Sequence, residues 1–189
     1  LMSMSEIILE ILSIDQDQII TLYGPSHSEE VIKNLPTAMV SACSSERNSK
    51  IIQNLFSNEN LRIYTSKDSR GVEIGGSLKN VIAIASGICN GIGYGDNANA
   101  ALITRGLHEI TKLGIAMGAK EQTFYGLSVI GDLIATCLSV HSRNRHVGEE
   151  IAKGKNLEEI ISSMGMVAEG VNTTRVVHEL SNKLNICLL

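Results

Sequence analysis

The sequence predicts an α/β segment followed by an all-α segment. In the first third of the chain, short β-branched apolar runs alternate with amphipathic stretches, a pattern typical of βαβ units. After Lys67 and Asp68 the apolar residues recur about every 3.6 positions, and this helical period continues toward the end of the chain. We therefore expect two domains, residues 1–65 and residues 66–189.

Capping signals delimit the elements of the α/β segment. Ser3 with Glu6 has the spacing of a capping box, which starts a helix. Ser26 with Glu29 repeats this spacing. The expected elements are a helix over 3–13, a strand over 19–23, a helix over 26–34, a strand over 37–43, a helix over 45–56 and a strand over 61–65.

The all-α segment begins with a helix around residues 78–85 that is apolar on nearly every side. In a soluble protein such a helix lies buried. Gly91, Gly93 and Gly95 interrupt it. Further helices are expected over 97–118, 123–138, 145–153, 157–164 and 170–184.

Composition and charge exclude several classes of protein. The 189 residues are 43% hydrophobic and 19% charged, which is enough to bury a core. The net charge is −4 and no run of like charges occurs, which argues against a nucleic acid partner. Apolar runs such as 81–85 are far shorter than the roughly 18 residues of a membrane helix, and no secretory segment opens the chain. We expect a soluble, cytoplasmic protein with no membrane partner.

The cysteines, histidines and glycines carry no metal or nucleotide fingerprint. Without a C-x-x-C pair, we expect four buried thiols in a reducing compartment: Cys43, Cys89, Cys137 and Cys187. The histidines lack spacings such as H-E-x-x-H, so no metal is expected. The glycines of 91–95 do not follow a predicted strand, and no P-loop pattern is present.

Lys79 is a candidate general base. It precedes residues that we expect to be buried, and a lysine stripped of water loses its preference for the charged form and can accept a proton near neutral pH. Asp132, a carboxylate within an apolar stretch, is an available partner. Two plainer interpretations stay open: Lys79 extends to the surface, and Asp132 caps a helix.

The segment Ser142-Arg143-Asn144-Arg145 is a candidate phosphate site. A small capping residue precedes two guanidinium groups and an amide. Backbone N–H groups at a helix start and planar arginine donors can converge on one anion. A solvated basic turn would have the same sequence, so the spacing alone leaves both interpretations open.

Six short motifs occur in a fixed order. They are Gly24-Pro25-Ser26, Gly75-Gly76-Ser77-Leu78-Lys79-Asn80-Val81, Gly95-Asp96-Asn97 with the following 100–106, Gly131-Asp132-Leu133, Ser142-Arg143-Asn144-Arg145 and Val167-Ala168-Glu169-Gly170. Together they resemble the NAD(P)-dependent glycerol-3-phosphate dehydrogenase family of the bacterial type. The resemblance implies the tail of a Rossmann nucleotide-binding domain over 1–65. It implies a helical substrate domain, like the C-terminal domain of 6-phosphogluconate dehydrogenase, over 66–189.

The resemblance also implies an activity. It is hydride transfer between C2 of sn-glycerol 3-phosphate and the nicotinamide of NAD or NADP, which interconverts the substrate with dihydroxyacetone phosphate and supplies phospholipid synthesis. Lys79 corresponds to the family's proton acceptor. Substrate contacts are implied for Gly24, Ser26, Lys79, Asn80, Asp132, Ser142, Arg143 and Asn144, and cofactor contacts for Ser28, Arg143, Val167 and Glu169.

The chain departs from the family pattern at its start. Neither the glycine fingerprint of the Rossmann half nor a further substrate lysine is present, and we expect the family's last helix to be cut off as well. We therefore expect the chain to be inactive, or nearly so, on its own. The resemblance also allows a homodimer.

Two alternative functions remain open. A relative of the β-hydroxyacid dehydrogenases would share the two-domain plan and a catalytic lysine. Its asparagine partner would lie one helical turn from that lysine, whereas Lys79 and Asn80 are adjacent. A non-catalytic helical interaction module has no need of Lys79, Asp132 and Arg143 together. The enzyme hypothesis requires these three side chains to face one cleft.

Overall fold

The chain, described over residues 2–188 by a computed structural model, divides into two compact units. The first comprises the chain up to Gly76 together with Gly114–Asp132, and the second comprises Ser77–Leu113 together with the chain from Leu133 onward. Within the described residues, every strand belongs to the first unit and the second unit is helical. The predicted fold class is therefore confirmed, while the predicted domain boundary at residue 66 stays a prediction.

The first unit opens with the predicted capping box. The Ser3 hydroxyl accepts a hydrogen bond from the Glu6 backbone, and the Glu6 carboxylate accepts one from the Ser3 backbone at 2.7 Å. This box starts helix α1 (Met4–Ile11). The chain continues through strand β1 (Thr21–Tyr23), helix α2 (Ser28–Val31), strand β2 (Thr37–Ala42), helix α3 (Glu46–Phe56) and strand β3 (Leu61–Ser66).

The three strands form one sheet in the order β1-β2-β3. Strand β1 pairs with β2 antiparallel, with Leu22 opposite Ser41, and β2 pairs with β3 parallel, with Met39 opposite Ile63. A parallel pair needs a crossover connection, and α3 supplies it while packing against β3. Of the predicted βαβ units, β2-α3-β3 is therefore confirmed. The prediction is wrong for β1-α2-β2, because β1 and β2 run antiparallel.

The remaining helices begin with α4. They are α4 (Ser69–Gly91), α5 (Asp96–Ala116), α6 (Glu121–Phe124), α7 (Asp132–Leu138), α8 (Arg143–Ala152), α9 (Leu157–Ser163) and α10 (Glu169–Lys183). The first turns of α4 belong to the first unit, where Val72 packs with Val40 and Ala42 in the apolar core. In the second unit, Val147 and Ile160 form a core that joins α8, α9 and the residues before α10.

Buried Asp68 fixes the start of α4. Its carboxylate accepts hydrogen bonds from the backbone of Gly71 at 3.0 Å, the backbone of Lys120 at 2.9 Å and the hydroxyl of Thr123 at 2.6 Å. A buried carboxylate needs such partners to offset its lost hydration. Asp68 therefore ties the beginning of α4 to α6 within the first unit.

The helix predicted over 26–34 is shorter than expected. Only one turn forms, α2, and His27 precedes it without a side-chain cap. The Ser26 hydroxyl instead donates to the Gly24 carbonyl at 3.0 Å. Serine can bond locally to the backbone in this way and compete with a capping role, so the capping-box prediction at Ser26 is wrong.

The helix predicted over 123–138 is broken into three pieces. Helix α6 ends at Phe124, a π-helical turn covers Leu127–Gly131, and α7 follows. Gly126 interrupts the series because its backbone is extended, with φ of −98° and ψ of 177°. The spacing of apolar residues does not reveal such a break, because the side chains before and after it still face the core.

One expectation about the thiols is wrong. Cys43, Cys89 and Cys137 are buried as expected, but Cys187 is exposed.

Within residues 2–188, α4 is long and apolar enough to cross a membrane by length and composition, which a count of uninterrupted apolar runs did not anticipate. Half of its most apolar window is buried inside the fold, as in the core helix of a soluble protein, so this is weak evidence for a span.

Glu150 generates a prediction for acid stability. Its side chain is 9% exposed, and hydrogen bonds from Lys153 and then Lys155 lower the pKa of the Glu150 carboxyl to about 2. Because the folded pKa lies below the ordinary value of 4.5, the ionised carboxylate stabilises the fold above pH 4.5. This stabilisation is lost as the pH falls toward about 2.

We expect Glu150→Gln to lower the free energy of unfolding at pH 7, and the difference from wild type to shrink steadily between pH 4.5 and pH 2. Urea denaturation at a series of pH values measures both quantities. Glu158→Gln, on the exposed part of α9, is the matched control. A difference that is independent of pH would contradict the pKa assignment.

Candidate functional site

The start of α8 carries three of the predicted substrate residues. Ser142 is the N-cap, and its hydroxyl accepts a hydrogen bond from the Arg145 backbone at 3.2 Å. Arg143 and Asn144 follow as the first residues of the helix, the first partly accessible and the second buried at 4% exposure. The predicted cap at Ser142 is confirmed. The second guanidinium of the predicted site, that of Arg145, donates to the backbone carbonyl of Leu138. The binding of phosphate at this helix start stays a prediction.

The start of α10 meets the start of α8. The backbone N–H of Gly170 donates to Oδ1 of Asn144 at 2.8 Å, and the bond is buried. Gly170 also lies against α4, because a Cβ built on it would stand 2.7 Å from the carbonyl oxygen of Asn80. Two predicted substrate residues, Asn80 and Asn144, are thus brought together around one glycine in the second unit.

Arg143 and Glu169 form an ion pair across the same two helix starts. The Arg143 guanidinium donates to the Glu169 carboxylate at 2.8 Å, with the two side chains 39% and 49% exposed. Val167, two residues earlier, is 65% exposed in the loop before α10. Three of the predicted cofactor residues therefore lie at one accessible place in the second unit.

Lys79 lies in α4 directly before Asn80, and both side chains are half-buried. The sequence left two interpretations open, a desolvated general base and a lysine that extends to the surface. The half-buried side chain does not decide between them, since it is neither fully solvated nor fully buried. Asp132 is 4% exposed and is the first residue of α7, a position that suits a cap as well as a functional carboxylate. The pairing of Lys79 with Asp132 stays a prediction.

The first unit brings the other predicted substrate residues together. Gly24 has a positive φ of 154°, and a Cβ there would lie 2.9 Å from the Cα of Met39, so the turn after β1 requires glycine at this position. Ser26 closes the turn through its bond to Gly24. A Cβ on Gly131 would lie 3.8 Å from Pro25, so the residue before Asp132 borders the same turn.

Ser28, unlike Ser26, bonds through its hydroxyl to a residue outside the turn that follows β1. It is exposed at the start of α2, and its hydroxyl donates to its neighbour Glu29 at 3.1 Å. Its predicted contact with the cofactor stays a prediction.

Close helix packing brings α8 to the Asn80 region of α4. A Cβ on Gly148 of α8 would collide with the backbone oxygen of Ile84, and one on Gly87 of α4 would collide with the backbone oxygen of Arg145. The two backbones therefore touch where both helices carry glycine. These contacts lie within about two turns of Asn80 along α4.

Sequence reasoning assigned no role to Gly170, which is the central contact of this cluster. The available signal was a glycine immediately after the first residue of a helix, where glycine is unfavourable compared with most residues. Such a glycine is retained where a side chain would not fit. The sequence alone could not show which neighbours exclude the side chain.

Comparison with known families gives two matches that together cover most of the chain. The sequence profile described as the C-terminus of NAD-dependent glycerol-3-phosphate dehydrogenase matches residues 68–188. The profile described as the N-terminus of the same enzyme matches residues 1–49.

Individual relatives agree with these matches. A glycerol-3-phosphate dehydrogenase, NAD(P)+, from Salinibacter ruber is 56% identical over 182 residues, which are 96% of this chain and 53% of the relative. One from Listeria innocua is 53% identical over 97% of this chain and 54% of its own length. The crystal structure of glycerol-3-phosphate dehydrogenase from Coxiella burnetii superposes with a TM-score of 0.88 at 38% identity, over 97% of this chain and 57% of that one. The chain thus spans about half the length of the relatives it matches.

The packing of α8 on α4 generates a prediction for stability. We expect Gly148→Ala to lower the free energy of unfolding by about 1–3 kcal/mol, because the added methyl group overlaps backbone that cannot move independently. Chemical denaturation measures the change. Gly165→Ala is the matched control, since a Cβ there meets no atom within 4 Å. If Gly148→Ala were as stable as the control, the two helices would not be in close contact.

Proposed function

Because the chain belongs to the NAD-dependent glycerol-3-phosphate dehydrogenase family, we propose that it carries the substrate-binding and proton-transfer residues for interconverting sn-glycerol 3-phosphate and dihydroxyacetone phosphate. One observation carries this proposal: the Asn80 backbone and the side chains of Arg143 and Asn144 meet at the start of α10 in the second unit. Residues from three separate helices meet there, which a solvated basic turn would not require.

The phosphate of the substrate binds at the start of α8. Arg143 offers a planar guanidinium with five N–H donors, of which the bond to Glu169 uses one edge. Asn144 offers its amide nitrogen, and the Ser142 hydroxyl can donate while it accepts from Arg145. These donors, together with backbone N–H groups at the helix start, suit a dianionic group.

Lys79 exchanges the proton of the reaction. In the oxidative direction the C2 hydroxyl proton passes to the Lys79 amine as a hydride leaves C2, and in the reductive direction the lysine returns it. Asn80 orients a substrate hydroxyl, and the substrate contact implied for Asp132 by the resemblance stays a prediction. The products of oxidation are dihydroxyacetone phosphate, the reduced cofactor and one proton.

The residues at the start of α10 fit a dinucleotide cofactor, NAD or NADP. Val167 presents an accessible apolar side chain, and the guanidinium of Arg143 is nearby through its ion pair with Glu169. An apolar contact beside a cation suits a ligand that combines flat rings with phosphates. The nicotinamide supplies the hydride acceptor or donor, while the chain's own side chains bind, orient and exchange the proton.

The finer expectations from the sequence extend this proposal. They are a cytoplasmic location, a homodimer, and no nucleic acid or membrane partner. The family membership favours this reaction over that of a β-hydroxyacid dehydrogenase, and the adjacent Lys79 and Asn80 point the same way. The activity assay described next distinguishes the enzyme from a non-catalytic helical module.

The proposal predicts that Lys79→Ala abolishes most activity. Because the chain spans about half of its relatives, the assay uses a hybrid in which it is joined to the part of the Salinibacter ruber relative that it does not match. The hybrid should reduce dihydroxyacetone phosphate with NADPH or NADH. Lys79→Ala should lower the rate at least about 10²-fold, the usual contribution of general acid–base catalysis.

The control is Lys183→Ala, which removes an exposed lysine at the end of α10 and should leave the rate unchanged. A hybrid that folds but shows no activity would favour a non-catalytic module. An active hybrid that tolerates Lys79→Ala would remove the lysine from the mechanism and leave the reaction itself standing.

A further inference from the structure

We propose that Gly170 is a positioning residue for the phosphate-binding amide. Its backbone N–H fixes the orientation of the Asn144 side chain, and its lack of a side chain allows α10 to dock against α4 and α8. This inference rests on the proposed function, because it assigns the amide nitrogen of Asn144 to the substrate phosphate.

The hydrogen bond determines which way Asn144 faces. A backbone N–H can only donate, so the Asn144 atom that meets Gly170 at 2.8 Å is the amide oxygen. The oxygen is therefore occupied, and the NH₂ group, which carries two donors, is directed elsewhere. A flipped amide would place two donors opposite each other and would present its oxygen to a phosphate, which it would repel.

The sterics explain why only glycine fits here. A Cβ at residue 170 would lie 2.7 Å from the Asn144 oxygen, 2.7 Å from the Asn80 carbonyl oxygen and 2.8 Å from a terminal carbon of Ile84. All three distances are well below the roughly 3.5 Å of an ordinary nonbonded contact. The Asn80 atom belongs to the backbone of α4, so the clash cannot be relieved by a side-chain rotation. An alanine would push α10 away from Asn144 and lengthen the hydrogen bond.

Three variants of the full chain separate the two roles. Asn144→Asp keeps an oxygen for the Gly170 N–H but removes the donors and adds a negative charge. Gly170→Ala keeps the Asn144 side chain but disturbs the hydrogen bond that orients it. Gly165→Ala is the control, because a Cβ on this glycine in the loop before α10 meets no atom within 4 Å. The probes are inorganic phosphate and sn-glycerol 3-phosphate, titrated while NMR spectra of the backbone and of the side-chain amides are recorded.

We expect Asn144→Asp to weaken the binding of both probes at least about 10-fold, as for the loss of a hydrogen bond to a charged group. Gly170→Ala should weaken binding about 3- to 10-fold and should shift the side-chain NH₂ signals of Asn144 before any ligand is added. Gly165→Ala should do neither. The shifted NH₂ signals distinguish repositioning from a general loss of stability.

The outcomes distinguish the two proposals. If Asn144→Asp binds both probes as wild type does, the assignment of Asn144 to the phosphate in the proposed function is wrong. If Asn144→Asp binds weakly while folded Gly170→Ala binds normally, the positioning role of Gly170 is overturned and the proposed function stands.

A measurement on the wild-type chain covers the case in which Gly170→Ala does not fold. The Gly170 amide should be protected from hydrogen exchange relative to the exposed Gly165 amide, and phosphate should shift the Asn144 NH₂ signals without reducing that protection. Exchange of the Gly170 amide as fast as that of Gly165 would overturn the inference.

Discussion

The buried hydrogen bond from Gly170 to Asn144 is the contact on which the candidate site depends. It joins the starts of α8 and α10 and places both beside the Asn80 turn of α4. Each helix alone would present its polar residues with no defined relation to those of the other helices. Because the bond is buried, breaking it would leave an unsatisfied N–H or oxygen at a cost of about 1–3 kcal/mol.

The apolar core behind these helix starts gives the bond its geometry. Val147 of α8 packs with Ile160 of α9 and with Ala168, the residue before α10. The loop between α9 and α10 is therefore anchored at Ala168, although Met166 and Val167 next to it are exposed. A fixed backbone with accessible side chains is an arrangement suited to binding, since little order has to be gained when a ligand arrives.

The sequence predicted the fold class and most elements because their signals are local. Ser3 and Ser142 cap helices as predicted, and Ser45, at the start of the helix predicted over 45–56, also caps one. The predictions failed where the local backbone conformation overrides the side-chain pattern. The Ser26 hydroxyl bonds to the Gly24 carbonyl instead of capping a helix. The extended backbone of Gly126 breaks the helix that the apolar pattern predicted. Gly170 was missed for another reason: its role depends on Asn80 and Asn144, which are distant in sequence.

The two contacts at the start of α10 differ in what they can do. The Arg143–Glu169 pair is accessible, and exposed ion pairs contribute only about 0–1 kcal/mol. Such a pair holds the guanidinium weakly, so the guanidinium can turn toward another anion at little cost. The Asn144 contact is buried and uncharged, so it holds its side chain in one orientation. In the proposed function, the fixed amide would set the geometry in which a phosphate binds, and the adjustable guanidinium would allow the phosphate to be released.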